Sequence, residues 1–136
     1  MTPRGRLSVS LLKISSVYLV VGAALGLYMG ISENHALVTV HSHLALVGWA
    51  TMALTGLVYL VLPACERHPL GAVHFWLHNL GLPVMIGGLS VLILTSDARA
   101  EPVVGLGSAA VLLALVSFAA NVLRNGREKG PGPSGE

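Results

Sequence analysis

His41-Ser42-His43-Leu44-Ala45-Leu46-Val47-Gly48-Trp49 places two imidazoles at the head of a run, Leu44 to Leu62, that holds no charged residue. A run of that length and character reads as a membrane-crossing helix. An ionisable or ligand-type side chain inside such a helix is a functional candidate. Helical residues two apart point about 200° away from one another. One helix therefore offers His41 to a neighbour on one side and His43 to a neighbour on the other.

Working outward, the run extends from about Ala36 to Leu62 and stops at Pro63. Three more apolar runs accompany it: Ile14 to Ile31, Val73 to Thr95 with Pro83 inside, and Pro102 to Leu123. The expected fold is an all-α integral membrane protein with four transmembrane helices within residues 14–123. A basic N-terminus (1–13) precedes them, and a Gly-, Pro- and charge-rich tail (124–136) that reads as disordered follows. Gly22-Ala23-Ala24 resembles a signal-peptide cleavage region, but the first run is longer than a signal core and further spans follow it.

Composition agrees. The 136 residues are 54% hydrophobic and 10% charged, with a mean hydropathy of +0.75. Soluble domains carry about 25% charged residues, so a sizeable soluble domain is excluded. The pI near 9.0 does not indicate nucleic acid, because the basic residues are placed as topology signals. Arg4, Arg6, Lys13, Arg67, Arg124, Arg127 and Lys129 fall at one end of four antiparallel spans, and Arg99 alone at the other. The positive-inside rule then puts both termini in the cytoplasm, in a multi-pass protein of the inner (cytoplasmic) membrane. Cys65, the single cysteine, has no partner for a disulfide or a cysteine metal motif and reads as a free thiol near the surface. Gly22, Gly26 and Gly30 recur every four residues as a small-residue packing stripe. Trp49, Trp76 and Tyr28 read as packing or interfacial-belt residues. No phosphate-binding glycine loop, nucleophile–base pair or carboxylate pair lies in a span, so hydrolytic and phosphoryl-transfer chemistry lack their residues.

The histidines fall into two groups, His35, His41 and His43 toward the outer face and His68, His74 and His78 toward the inner. Neutral imidazole in an apolar setting ligates haem iron, copper or zinc. It also serves as interhelical hydrogen-bonding glue, and spacing alone weights the two readings equally. Of the ligands, haem suits the setting best, being largely apolar and needing one axial nitrogen from each side. A single chain has no second histidine at that depth unless His35 reaches in from the turn. A bis-histidine haem would then join His41 of one copy to His43 of the next, and such head-to-tail contacts close into rings. His74 and His78 share a helix face and are weaker metal candidates, with His68. Their place near the start of a span favours interfacial histidines and helix-end hydrogen bonds.

His41-Ser42-His43-Leu44, Gly48-Trp49, Gly56-Leu57-Val58-Tyr59-Leu60-Val61-Leu62-Pro63, His74-Phe75-Trp76-Leu77 and Gly81 together resemble subunit I of the haem–copper oxidases, most closely the C-type cytochrome c oxidases and nitric oxide reductases. The likeness covers about Val40 to Gly88. In that family the first histidine of the matching His-x-His helix is an axial ligand of the high-spin haem and the second ligates the low-spin haem; these roles map onto His41 and His43. His41 also resembles the family's other low-spin ligand position. The family subunit has twelve spans in three arcs, so the resemblance implies that this chain is one arc of a homotrimer, with haem b at each subunit interface. The family's copper-ligand helices and its reaction-centre tyrosine or glutamate have no counterpart here. The implied protein is thus cytochrome-like, for electron transfer or redox sensing, rather than an oxidase complete in itself. An electron donor and acceptor are implied as partners. A copper- or other metal-handling protein, and a cofactor-free assembly or structural subunit, are the rival readings.

Overall fold

The computed structural model describes residues 6–126, and among them the chain is all-helical, with no strand. Helix α1 is Arg6–Ser32. Helix α2, Val38–Val61, is π-helical over Leu44–Thr51. The short α3 is Pro63–Arg67, α4 is Pro69–Thr95, and a 3-10 turn, Ala98–Ala100, leads into α5, Glu101–Asn125. Four of these segments are long and apolar enough to cross a membrane, so the chain has the make-up of a multi-pass membrane protein. The expected basic and disordered ends fall partly outside the described residues, Arg4, Arg127 and Lys129 with them.

Two helices begin earlier than their apolar runs because side chains satisfy the amide groups that a helix start leaves free. At α1, Glu66 Oε1 accepts from the backbone N–H of Leu7 (2.8 Å) and of Ser8 (3.1 Å) and from the Ser8 hydroxyl (3.1 Å). At α4, His68 Nδ1 accepts from the Leu70 N–H at 3.2 Å, and Pro69 sits at the first helical position, where its missing donor costs nothing. The connections reverse through left-handed residues, Glu33 and Ser96, each with φ 54°. Asp97 caps the α4–α5 turn, accepting from the Arg99 N–H at 3.0 Å. The Arg99 guanidinium beside it holds the Asp97 carboxyl below the usual carboxylate range.

The four spans form two helical hairpins, α1 with α2 and α4 with α5, and most packing lies within each hairpin. Lipid tails are as apolar as leucine, so close approach of small residues replaces the hydrophobic drive. Gly48 lies under the Tyr18 ring, where an added Cβ would stand 2.7 Å from Cγ. In the other hairpin Gly81 and Gly107 face each other, the Gly81 carbonyl 2.8 Å from where a Gly107 Cβ would be. Leu11, Met52, Tyr59, Leu82, Met85 and Val111 fill the narrow core. Outward faces are apolar, with Leu106 and Leu123 among the exposed leucines.

At one end the hairpins are tied through α3. Asn121 Nδ2–H donates to the Cys65 carbonyl (2.8 Å), and Glu66 holds α1 as described. Arg6, Arg67 and Arg124 therefore share that end, with Arg99 at the other. Cys65 is fully buried there and its thiol lies 3.8 Å from the Asn121 carbonyl, rather than near the surface as its loop position implied. Burial pushes that thiol's pKa up. Glu66→Ala removes the acceptor of three bonds at a helix N-terminus. It is expected to cost about 1–3 kcal/mol, read as a shift in detergent-titrated unfolding, with Glu66→Gln recovering part of the loss.

Candidate functional site

The chain brings its histidines into two places. Near the N-terminal end of α2, His41 and His43 diverge as their spacing predicts. The His41 ring turns to α1: its Nδ1–H donates to the Gly22 carbonyl at 2.9 Å. The ring lies on Gly26, where an added Cβ would come within 2.9 Å of Cε1. Two glycines of the predicted stripe are thus a seat for this imidazole, while Gly30 has open space beside it. His43, partly exposed, bonds its own helix, Nδ1–H donating to the Thr39 carbonyl at 2.8 Å. A carbonyl only accepts, so both rings carry their proton on Nδ1 and both leave Nε2 as a bare lone pair when neutral. His35 is exposed in the α1–α2 turn with its Nδ1 3.2 Å from the Glu33 carbonyl. It does not join His41 and His43. Among the described residues no three His, Cys, Asp or Glu side chains converge as metal ligands.

The second place is in the interior. His74 and His78 are each 0% exposed. The near-surface reading fails because both rings lie on the face of α4 that packs against α2, and α4 begins at Pro69, five residues before His74, which sets them further from the helix end. There they link the hairpins. His78 Nε2 lies 3.1 Å from the Val47 carbonyl in the π-helical stretch, His78 Nδ1 lies 3.3 Å from His74 Nε2, and His74 Nδ1 lies 3.1 Å from the Tyr59 hydroxyl. Neutral rings admit one assignment. The Val47 carbonyl must accept, so His78 donates from Nε2 and accepts at Nδ1. His74 then donates from Nε2 and accepts at Nδ1, and Tyr59 donates. Every polar atom is satisfied. Phe118 of α5 closes the site, its ring 5.5 Å from Tyr59 and 5.2 Å from His74.

Sequence reasoning did not assign Tyr59, the Val47 carbonyl, Asn121 or Glu66. One signal was present: Tyr59 lies seven residues before Glu66 and His74 eight after it, which sets them level in an antiparallel pair. The π-helix had no such signal. Its wider turn is braced by side chains, Thr51 Oγ1 donating to the Leu46 carbonyl (2.7 Å) and His78 to that of Val47, and π turns concentrate at functional sites.

Comparison with protein-family models, curated proteins and solved structures found no match to the chain.

Proposed function

We propose that this is a haem-binding, cytochrome-like membrane protein in which His41 and His43 are axial ligands supplied by different copies, three copies closing into a ring with haem b at each interface. The observation that carries the reading is the shared state of the two rings. Each has Nδ1–H held by a backbone carbonyl (Gly22 or Thr39) and Nε2 left free. This is the arrangement by which a second hydrogen bond fixes the tautomer and orientation of a ligating imidazole. The rings leave α2 on different sides, which suits ligation across an interface rather than within one chain. Haem iron so held would carry single electrons, for transfer or for redox sensing. The chain's own part is to aim the two nitrogens: Gly26 leaves room for the His41 ring, and the carbonyls hold its proton away from the ligating side. The positive-inside rule places both termini in the cytoplasm, on the side of Arg6, Arg67 and Arg124.

The test is the visible spectrum of detergent-purified protein, oxidised and then dithionite-reduced. The expected result is a sharp Soret band with split α and β bands on reduction. His41→Ala and His43→Ala should each bring haem to background while leaving the helical content intact, and light scattering should give three chains per particle. A colourless protein, still colourless after haem addition, overturns the reading. The cofactor-free alternative has an observation of its own, since the His41–Gly22 bond also ties α1 to α2. Among the described residues no third His, Cys, Asp or Glu converges with His41 or His43, so a copper site there would also need donors from another copy.

A further inference from the structure

Three features meet around His74 and His78. The polar chain from Tyr59 to Val47 crosses between the hairpins. Beside it, α2 and α5 leave a groove of about 270 Å³ lined by Thr51, Leu54, Thr55, Val58, Leu115 and Phe118. That seam is not filled by side chains. At the end of the bundle, the Cys65–Asn121 and Glu66–α1 bonds hold the hairpins together. One end is thus fastened, the middle is joined by hydrogen bonds, and the seam between has room to part.

From this geometry we infer that the Tyr59–His74–His78 chain is an acid-released latch between two hairpins hinged at α3. The neutral chain matches three donors (Tyr59 O–H and the two Nε2–H groups) to three acceptors (two Nδ1 atoms and the Val47 carbonyl). Adding one proton to either ring makes four donors. His74 then presents Nδ1–H to the Tyr59 oxygen, and the tyrosine's own proton loses its acceptor. Among the described residues the added charge faces no free carboxylate, and an unpaired buried charge is strongly unfavourable. The groups around it do not offset this. From α2 there is only Tyr59; from α4, only the two rings themselves. From α5 there are Phe118 and the amide of Asn121, which reaches the Tyr59 hydroxyl but already donates to the Cys65 carbonyl and accepts from Asn125. From α1 there is Tyr18, lying on Gly48. In α3, Cys65 is buried and the Glu66 carboxylate is engaged at the start of α1. Separating the hairpins lets water reach the charge.

The inference does not depend on haem, and its test uses none. In a Cys65→Ala background, spin labels on Leu27→Cys and Leu106→Cys, exposed positions on α1 and α5, report the distance between hairpins away from the hinge. Labels on Val9→Cys and Leu123→Cys report it near the hinge. From about pH 8 to pH 4, a window that brackets the ordinary imidazole range, the first distance should lengthen reversibly and the second stay fixed. Tyr59→Phe leaves His74 Nδ1 without a donor, so protonation no longer breaks a bond. The midpoint should rise by about one pH unit, one hydrogen bond's worth. His74→Gln with His78→Gln keeps a donor and an acceptor at each position without titrating, and should abolish the transition. An unchanged first distance, an unmoved midpoint in Tyr59→Phe, a transition surviving in the double glutamine variant, or lengthening of both distances together would each overturn the latch.

Discussion

Gly107→Leu is expected to split the α4–α5 hairpin and lower stability by roughly 3 kcal/mol or more. A Cβ on Gly107 would fall against the Met85 backbone nitrogen, 2.7 Å from the Met85 Cα and 2.8 Å from the Gly81 carbonyl. These are backbone atoms of α4, which cannot swing aside as a side-chain tip can. The helices must move apart over their whole crossing, withdrawing Leu82, Met85 and Val111 from the core they share. In lipid no hydrophobic gain restores the contact. Gly105→Leu is the internal control. It lies two residues away on the same helix with nothing within 4 Å of its added Cβ, and should change stability by less than about 0.5 kcal/mol. Unfolding in mixed micelles titrated with dodecyl sulfate, followed by tryptophan fluorescence, separates the two. Equal stability of the two variants would mean that the hairpin does not depend on the glycine crossing.

The architecture was legible because membrane spans are written in composition. Runs such as Leu44 to Leu62 contain nothing that could sit elsewhere, and four of them emerge as four helices. The divergence of His41 and His43 was legible too, from residue spacing alone. What could not be read was which residues a helix turns inward. The starts of α1 and α4 depend on Glu66 and His68 reaching amides of Leu7, Ser8 and Leu70. The Glu66 contact comes from α3, the link between the hairpins and distant from α1 along the chain, where periodicity has no view. An earlier start for α4 rotates nothing but lengthens the helix, so His74 and His78 sit a turn or more deeper than an apolar-run boundary suggests. The π-helical stretch is the other blind spot. It changes the angular register within α2, so the α-helical phase of Leu44–Thr51 misassigns which carbonyl meets α4. Cys65 was misplaced for a related reason: α3 looks like a surface loop, but Asn121 draws it under the bundle.

His78→Leu is expected to destabilise the folded chain by about 2–5 kcal/mol, because it strands two polar groups at once. Leucine nearly matches the imidazole in volume, so little of the loss comes from a cavity. The Val47 carbonyl loses its side-chain donor and His74 Nε2–H loses its acceptor. A change of tautomer at His74 does not help. Moving its proton to Nδ1 leaves Nε2 as a bare acceptor and frees the Tyr59 hydroxyl proton, so the unmatched group is relocated and not removed. The triple replacement Tyr59→Phe, His74→Leu, His78→Leu takes away all the side-chain polar atoms together. It should recover the part of the loss that comes from His74 and Tyr59, since removing both partners of a buried pair is far cheaper than removing one, while the Val47 carbonyl stays without its side-chain donor. The same micelle titration measures each. A single variant as stable as the parent would show that the hairpins are held by Phe118, Tyr59 and the surrounding apolar contacts instead. A triple variant no better than the single would show that the rings contribute by shape and not through the hydrogen-bonded chain.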